Sequence, residues 1–256
     1  MKFNELDARM RLYETALDQL IPPQTYVVAR LDGRGFTRLT KEVLDLEKPF
    51  SPQFRDAMIR TVEHLMNCGF NVWYGYCQSD EISLLFPRDE QGFSRKLRKW
   101  LSVLFGEASA AFTLAMGHAG TFDCRLSLLP TEELVADYFH WRSADAHRNS
   151  LNAYCYWKQR ESGKSVKEAT DKIKKLSVSE KNELLFGLGI NFNDLPAWQK
   201  RGIGFYWEWS TRQGYNPVKQ TQTEVRRRTL TRNEDLPLQG YREMLLELMK
   251  QNEDKG

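Results

Sequence analysis

Three acids in this chain stand where strand-like runs give out, a placement that suits chemistry on phosphate. Asp32 closes the apolar run from Tyr26 to Leu31 and is followed by Gly33, while Asp80 and Glu81 interrupt the alternating stretch from Tyr74 to Phe86. If the end of the first strand lies beside the connection between the next two, the carboxylates converge, and they repel one another strongly unless a cation sits between them. Oxygen ligands with open positions suit Mg²⁺ bound together with substrate phosphates, and two such ions activate an attacking oxygen and stabilise a leaving one. Neighbouring strand residues point to opposite faces. Asp80 and Glu81 should therefore differ, with Asp80 the expected ligand.

A plainer reading competes at the first acid, because Asp-Gly is also a strong hairpin signal that needs no ligand. The second acidic stretch decides in favour of a site. In the turn after Asp32, the N–H groups of Arg34, Gly35 and Phe36 can form an anion nest for a triphosphate. Neither standard phosphate motif is present: there is no G-x-x-x-x-G-K-[ST], and Gly33-Arg34-Gly35 lacks the third glycine of a dinucleotide fingerprint. No histidine lies in an H-E-x-x-H pattern, and the four cysteines have no zinc-like spacing, so they read as free thiols in a reducing cytosol.

The elements that must position these acids follow from periodicity. Phe3, Leu6, Met10, Tyr13, Leu17 and Leu20 have helical spacing before Pro22-Pro23, which predicts a lead-in helix packed by one face. After a strand through Val27, Val28 and Leu31, Ser51-Pro52 opens a helix ending at Gly69. Strands follow over 72–77 and 82–86, then a long helix from Phe93 to about Met116 with Leu97, Leu101, Leu104, Ala108 and Ala111 inward, and a strand over 122–129. The order is βαββαβ, so the fold class is α+β, with the antiparallel sheet of a ferredoxin-like or polymerase-palm domain. Residues 1–130 form this core. Residues 131–256 add a helix through His147 and Trp157 and two helices opened by the capping boxes Ser165/Glu168 and Ser177/Glu180. A C-terminal β-hairpin with arms over 202–209 and 222–230 around Gly214-Tyr215-Asn216-Pro217, and a closing helix over 241–249, complete this second part, which packs on the palm.

With 256 residues, 41% of them hydrophobic, the chain can bury a sizeable core. No run of about 18 apolar residues suggests a membrane span, and the N-terminus does not resemble a secretory signal. A net charge of +3 is only mildly basic. The positive charge is clustered, however, at Arg95, Lys96, Arg98 and Lys99, at Lys172, Lys174 and Lys175, and at Arg226, Arg227 and Arg228. Beside a phosphate-chemistry site, these clusters point to a polyanionic substrate.

Five stretches in order, Arg30-Leu31-Asp32-Gly33-Arg34-Gly35-Phe36, Tyr74 to Glu81, Phe122-Asp123-Cys124-Arg125, Trp141 to His147 and Lys181 to Phe186, resemble the successive motifs of the tRNA-His guanylyltransferases and their bacterial and archaeal like-proteins. The resemblance implies a palm-like, Mg²⁺-dependent enzyme that adds nucleotides to the 5′ end of tRNA in the 3′ to 5′ direction. A 5′-monophosphate is first adenylylated with ATP, and the 3′-hydroxyl of GTP or another incoming nucleoside triphosphate then displaces AMP. Asp32, Asp80 and the carbonyl of Gly33 resemble the ligands of two Mg²⁺ ions, with Glu81 the remaining acid. Ser79 and the turn from Arg34 to Thr37 resemble triphosphate contacts. Lys48, Arg125, His147, Lys181 and Asn191 match polar positions that serve the nucleotides or the 5′ end, and Arg95, Lys96, Lys99 and Arg226 to Arg228 are expected to contact the tRNA. A cytoplasmic homotetramer is implied.

The segment His147-Arg148-Asn149-Ser150-Leu151-Asn152-Ala153 departs from the eukaryotic run, which is close to His-Ile-Asn-Asn-Leu-Tyr-Asn. That favours template-dependent repair of 5′-truncated tRNAs over strict action on tRNA-His. A nucleotide cyclase on the same architecture and a tRNA-binding protein with a decayed site are the other readings that the residues leave open.

Overall fold

The computed structural model describes residues 2–216 and 221–253. Helix α1 (Phe3–Glu14) is followed by β1 (Tyr26–Arg34), the one-turn helix α2 (Phe36–Arg38), α3 (Pro52–Leu65), β2 (Tyr74–Gln78), β3 (Glu81–Phe86), α4 (Leu97–Met116) and β4 (Thr121–Leu129). Then come α5 (Glu132–Glu161), α6 (Val166–Lys174), α7 (Val178–Phe186), α8 (Ala197–Arg201), β5 (Ile203–Asn216), β6 (Thr221–Asn233) and α9 (Tyr241–Glu253). The six strands form one antiparallel sheet in the order β4-β1-β3-β2-β5-β6. Its first four strands have the order of the expected βαββαβ unit, and the C-terminal hairpin extends the sheet through β2.

Alternation along β1 divides the protein into two layers. Val27, Ala29 and Leu31 face α3 and α4 in one cluster with Leu84, Phe86 and Trp100. Tyr26 and Val28 face α5 and α9 in a second, with Leu85, Tyr74, Phe139 and Leu245. Strand β1 is thus buried on both sides from Tyr26 to Ala29, and its α5 face becomes half-open at Arg30 and Asp32 while Leu31 stays buried on the other. The caps follow the sequence: Ser51 accepts the Phe54 N–H, and Ser165 and Ser177 each form a capping box. Among the described residues, no helix is long and apolar enough to cross a membrane.

Several expectations change. Helix α1 ends at Glu14 and buries none of its residues, and Phe3, Met10, Tyr13 and Leu17 all face outward. The predicted packed face exists as a stripe, but nothing among the described residues covers it. Asp32-Gly33 does not end β1, which stays paired with β4 to Arg34 and turns only at Gly35. Helix α3 stops at Leu65, and Gly69 lies in the loop beyond it.

The fourth helix begins at Leu97 rather than Phe93, because Phe93, Ser94 and Arg95 take left-handed φ of 51°, 53° and 55°. That turn aims Arg95 inward. Its side chain, 5% exposed, donates to the carbonyls of Ile21 (3.1 Å), Arg88 (3.2 Å), Glu90 (2.7 Å) and Pro22 (2.6 Å). Arg95 is therefore an internal tie between the lead-in segment and the loop after β3, and not part of a basic RNA-facing surface. The inward stripe of α4 is Trp100, Leu104, Ala108, Phe112 and Met116, which leaves Leu97, Leu101 and Ala111 at its margins. Strands β5 and β6 are longer than expected and include Gly214, Tyr215 and Asn216; Pro217 of the anticipated turn and the Arg226 side chain lie outside the described residues.

Candidate active site

The antiparallel register sets the acids. Asp32 on β1 is directly opposite Glu81 on β3 and Asp123 on β4, so these three project from one face of the sheet, the face covered by α5. Asp80 sits with Ser79 in the two-residue connection between Gln78 and Glu81. There Ser79 holds a φ of 53°, the positive backbone angle that tight hairpins require. The hairpin is tied to the end of β1 by a bond from the Gly33 N–H to the Asp80 carbonyl at 3.0 Å. Asp32, Gly33, Ser79, Asp80 and Glu81 are therefore brought together, as the sequence predicts.

The two acids of the hairpin differ as alternation requires. Glu81 is held by a fork from Arg142 of α5, with Nε to Oε1 at 2.7 Å and Nη2 to Oε2 at 2.6 Å, and both side chains are buried. Arg142 also reaches Asp145 at 3.2 Å and lies 4.5 Å from the Trp141 ring centre. Glu81 is thus neutralised by protein. Asp80 instead has its carboxyl pushed up, first by burial and then by neighbouring Asp32, against the pull of its own N–H and the Ser79 hydroxyl. Asp32 is flanked by Arg30 Nε at 3.1 Å and Arg125 Nη2 at 2.9 Å.

Among the described residues, no three His, Cys, Asp or Glu side chains cluster closely enough to hold a metal ion by themselves. Asp32, Asp80 and the Gly33 carbonyl still fit Mg²⁺, which is ordinarily held by one or two carboxylates and completed by water and substrate phosphates. The charge of Asp80, disfavoured by burial and then by neighbouring Asp32, is what a cation there would stabilise.

Gly33 and Gly35 shape the adjoining turn. A Cβ on Gly33 would lie 2.5 Å from the Phe36 ring, and Gly35 takes φ 74° at the N-terminus of α2. The Phe36 side chain packs among Phe54, Phe112 and Phe122, so only its backbone is available to a ligand. Thr37 lies at the rim of the adjacent cleft, a space of about 220 Å³ that also contains Lys48, Trp157, Trp198 and Asp80. Lys48 donates to the Thr40 carbonyl and lies 5.7 Å from the Trp157 ring centre; burial, then neighbouring Lys41, pulls its pKa down. A second cleft of about 290 Å³ contains Asp32, Glu81, Arg142, Asn149 and Ser150. Ser79 and Asp80 border both.

Other expected residues lie elsewhere. His147 packs on Phe192, with ring centres 5.2 Å apart, and its Nδ1 is buried without a partner. Its pKa is lowered by burial and then by Arg201 and Lys200. Asn191 caps the short 3₁₀ turn Phe192–Asp194, and the carbonyl of Lys181 accepts the Cys155 thiol at 3.6 Å. None of the three lines either cleft. Lys99, Arg227 and Arg228 are exposed, and Lys96 is half-buried at the start of α4. Sequence reasoning missed roles for Arg30 and Arg142. The signals were the i,i+2 spacing of Arg30 to Asp32 on a strand and the i,i+3 spacing of Arg142 to Asp145 on a helix.

Comparison with known proteins decides the family. A family description reading tRNAHis guanylyltransferase matches residues 7–130, and the family's C-terminal domain matches residues 133–243. The chain belongs to the tRNA(His) guanylyltransferase family. A probable tRNA(His) guanylyltransferase of Drosophila melanogaster is 33% identical, covering 72% of this chain and 68% of the relative. The Schizosaccharomyces pombe tRNA(His) guanylyltransferase is 31% identical over 73% of this chain and 74% of its own. A bacterial tRNA(His) guanylyltransferase-like protein in complex with GTP superposes with a TM-score of 0.70 at 30% identity, covering 95% of this chain and 98% of that one. A bacterial like-protein in complex with ATP gives 0.72 at 28% identity, with the same coverage. Guanylyltransferases of this family are nucleotidyltransferases.

Proposed function

We propose that this guanylyltransferase-family chain lengthens the 5′ end of truncated tRNA in the 3′ to 5′ direction, each added nucleotide being selected by pairing with the opposite strand of the acceptor stem. One observation carries the reading: two clefts share the Ser79–Asp80 hairpin, with Asp32 beside it. The first offers indole surfaces at Trp157 and Trp198 with Lys41 and Lys48 alongside, which suits a purine and its phosphates. The second is more polar and opens on Asp32.

In the first step an oxygen of the tRNA 5′-phosphate attacks the α-phosphorus of ATP, and pyrophosphate leaves. In the second, the 3′-hydroxyl of the incoming nucleoside triphosphate attacks the 5′-phosphate and AMP leaves. Both steps need positioning and charge neutralisation more than covalent catalysis. Two Mg²⁺ ions, when bound, supply that neutralisation, and Asp32, Asp80 and the Gly33 carbonyl would hold them. Arg30 and Arg125 orient Asp32, Arg142 withholds Glu81 from competing as a ligand, and the turn from Arg34 to Thr37 with Ser79 receives the triphosphate. Asn149, Ser150 and Ala153 line the second cleft. The segment that departs from the eukaryotic run therefore lies where the stem end and incoming nucleotide would meet.

The test offers truncated tRNA-His and a second truncated tRNA in parallel, each with all four nucleoside triphosphates and Mg²⁺. Extension of both, with the inserted base following the template, is expected. Addition confined to full-length tRNA-His and indifferent to the opposing base would overturn the reading. A cytoplasmic homotetramer is part of the same proposal, and sedimentation of the full chain checks the assembly.

A further inference from the structure

At the end of the sheet opposite Asp32 there is another cavity, of about 390 Å³. Its wall includes Trp73 just before β2, Arg88 just after β3, and Trp209 with Arg228, which are paired across β5 and β6. Arg88 lies over Tyr26 at the start of β1, six strand residues from Asp32, or about 20 Å at the usual rise of ~3.3 Å per residue. A ligand in this cavity takes no part in the chemistry at Asp32.

Arg88 is held in an unusual state. Its guanidinium lies 4.4 Å from the Tyr26 ring centre, yet its Nε is buried and, among the described residues, has no hydrogen-bond partner. A buried donor left unsatisfied is costly, and more so on a charged group. The acids of the wall do not meet the need: a Glu253 carboxylate oxygen instead accepts the Tyr26 hydroxyl at 2.6 Å. The backbone that carries Arg88 is held in place, its carbonyl accepting Arg95 Nη1 at 3.2 Å. Beside it, the Arg228 guanidinium lies 4.3 Å from the Trp207 ring centre, and Trp209 is 38% exposed. Indole faces with guanidinium groups among them are the equipment of a site for an unpaired nucleotide, the rings stacking a base and the guanidinium groups taking its phosphate.

We propose that this cavity is a second RNA site, which takes an unpaired nucleotide of the tRNA with its base on Trp209 and its phosphate on Arg88 and Arg228, while Trp73, buried against Tyr26, forms the floor. The inference rests on the reading of tRNA as substrate. Being remote from the reacting atoms, the site sets the affinity and orientation of a whole tRNA without touching the nucleotide being added.

The test compares a truncated tRNA with a minihelix that carries only the same acceptor stem, using the full chain and the variants Trp209→Ala, Arg88→Gln and Arg228→Glu. Binding is read by fluorescence anisotropy, 5′-adenylylation by labelled ATP, and folding by thermal unfolding. Loss of one base stack should weaken tRNA binding roughly tenfold, while minihelix binding and its adenylylation stay as in the parent chain. Irradiation of 5-iodouracil-substituted tRNA should crosslink to the peptide that carries Trp209. Arg228→Glu, at an exposed position, keeps the test sound should Arg88→Gln fold poorly. Equal losses on tRNA and minihelix, or no loss on either, would overturn the cavity's assignment alone. A parent chain that binds neither RNA would overturn the substrate reading along with it.

Discussion

Arg142→Ala should damage the fold more than Glu81→Ala, although Glu81 is the residue that resembles a catalytic acid. The Arg142 and Glu81 side chains are 11% and 14% exposed, and their two short bonds leave Glu81 dependent on Arg142. Removing one partner of a buried pair costs on the order of 3–5 kcal/mol. The residual exposure argues for the lower end, about 3 kcal/mol, which lowers the midpoint of a chain of this size by roughly 6–12 °C. In Glu81→Ala the guanidinium keeps Asp145 at 3.2 Å, so the loss is smaller. The deficit also has a pH signature. Burial pushes the Glu81 carboxyl above its ordinary value even while Arg142 pulls it down, and without Arg142 it rises further. A group whose folded pKa is raised contributes stability that is present at low pH and lost as pH rises. The Arg142→Ala deficit should therefore be larger near pH 8 than near pH 5, as thermal and urea unfolding of both variants at the two pH values will measure. Wild-type stability in Arg142→Ala, with activity lost and the requirement for Mg²⁺ raised, would refute the reasoning and make Glu81 a metal ligand.

Asp32→Ala and Asp80→Asn should each abolish nucleotide addition in a primer-extension gel. Asp80→Asn should nevertheless match or exceed the parent in metal-free unfolding, because burial and Asp32 both disfavour its charge. His147 has its pKa lowered by burial and then by Arg201 and Lys200, so the unfolded chain takes up the proton first; stability should fall as pH drops below about 6.5. Unfolding midpoints of His147→Gln should fall less over the same range. Charge reversal at Lys99, Arg227 or Arg228 should each reduce the salt dependence of tRNA binding by about one counterion, measured by salt titration, with ATP affinity unchanged. Arg95→Ala should instead lower the unfolding midpoint, since four carbonyls lose their donor.

The sheet was legible because its strands announce themselves in runs of apolar residues and in the turn at Ser79-Asp80, although β1 runs on past Asp32 to Arg34. The convergence of those acids followed from the βαββαβ order, which puts the end of β1 beside the β2–β3 hairpin. What could not be read were contacts set by long-range register and by backbone chirality. Arg95 looked like a surface charge because its neighbours are charged; only the left-handed turn at Phe93 to Arg95 turns it inward. The fork from Arg142 to Glu81 joins residues 61 apart, and no local pattern predicts that pairing. The stripe on α1 was read correctly as amphipathic, but a periodicity reports that a face is apolar and not that the same chain covers it. His147 and Asn191 matched family positions, yet their side chains lie outside both clefts: residue order along α5 does not say which neighbour His147 meets, and Asn191 is spent capping the turn Phe192–Asp194.

The pairing of β2 with β5 gives the two matched halves a shared fate. Tyr74 to Cys77 are hydrogen-bonded on one side to β3 and on the other to Tyr206 through Ile203. A fragment ending near residue 130 would present β2 as a bare edge with open N–H and C=O groups, an invitation to pair with another chain. It would also uncover Tyr26, Val28, Leu85 and Tyr74, which α5 and α9 otherwise roof. The complementary fragment would hold a long two-stranded ribbon with nothing to lean on. Insertions that respect this joint belong in loops at the sheet's ends, whereas a cut between the halves divides a single cooperative sheet and should yield aggregates from either piece.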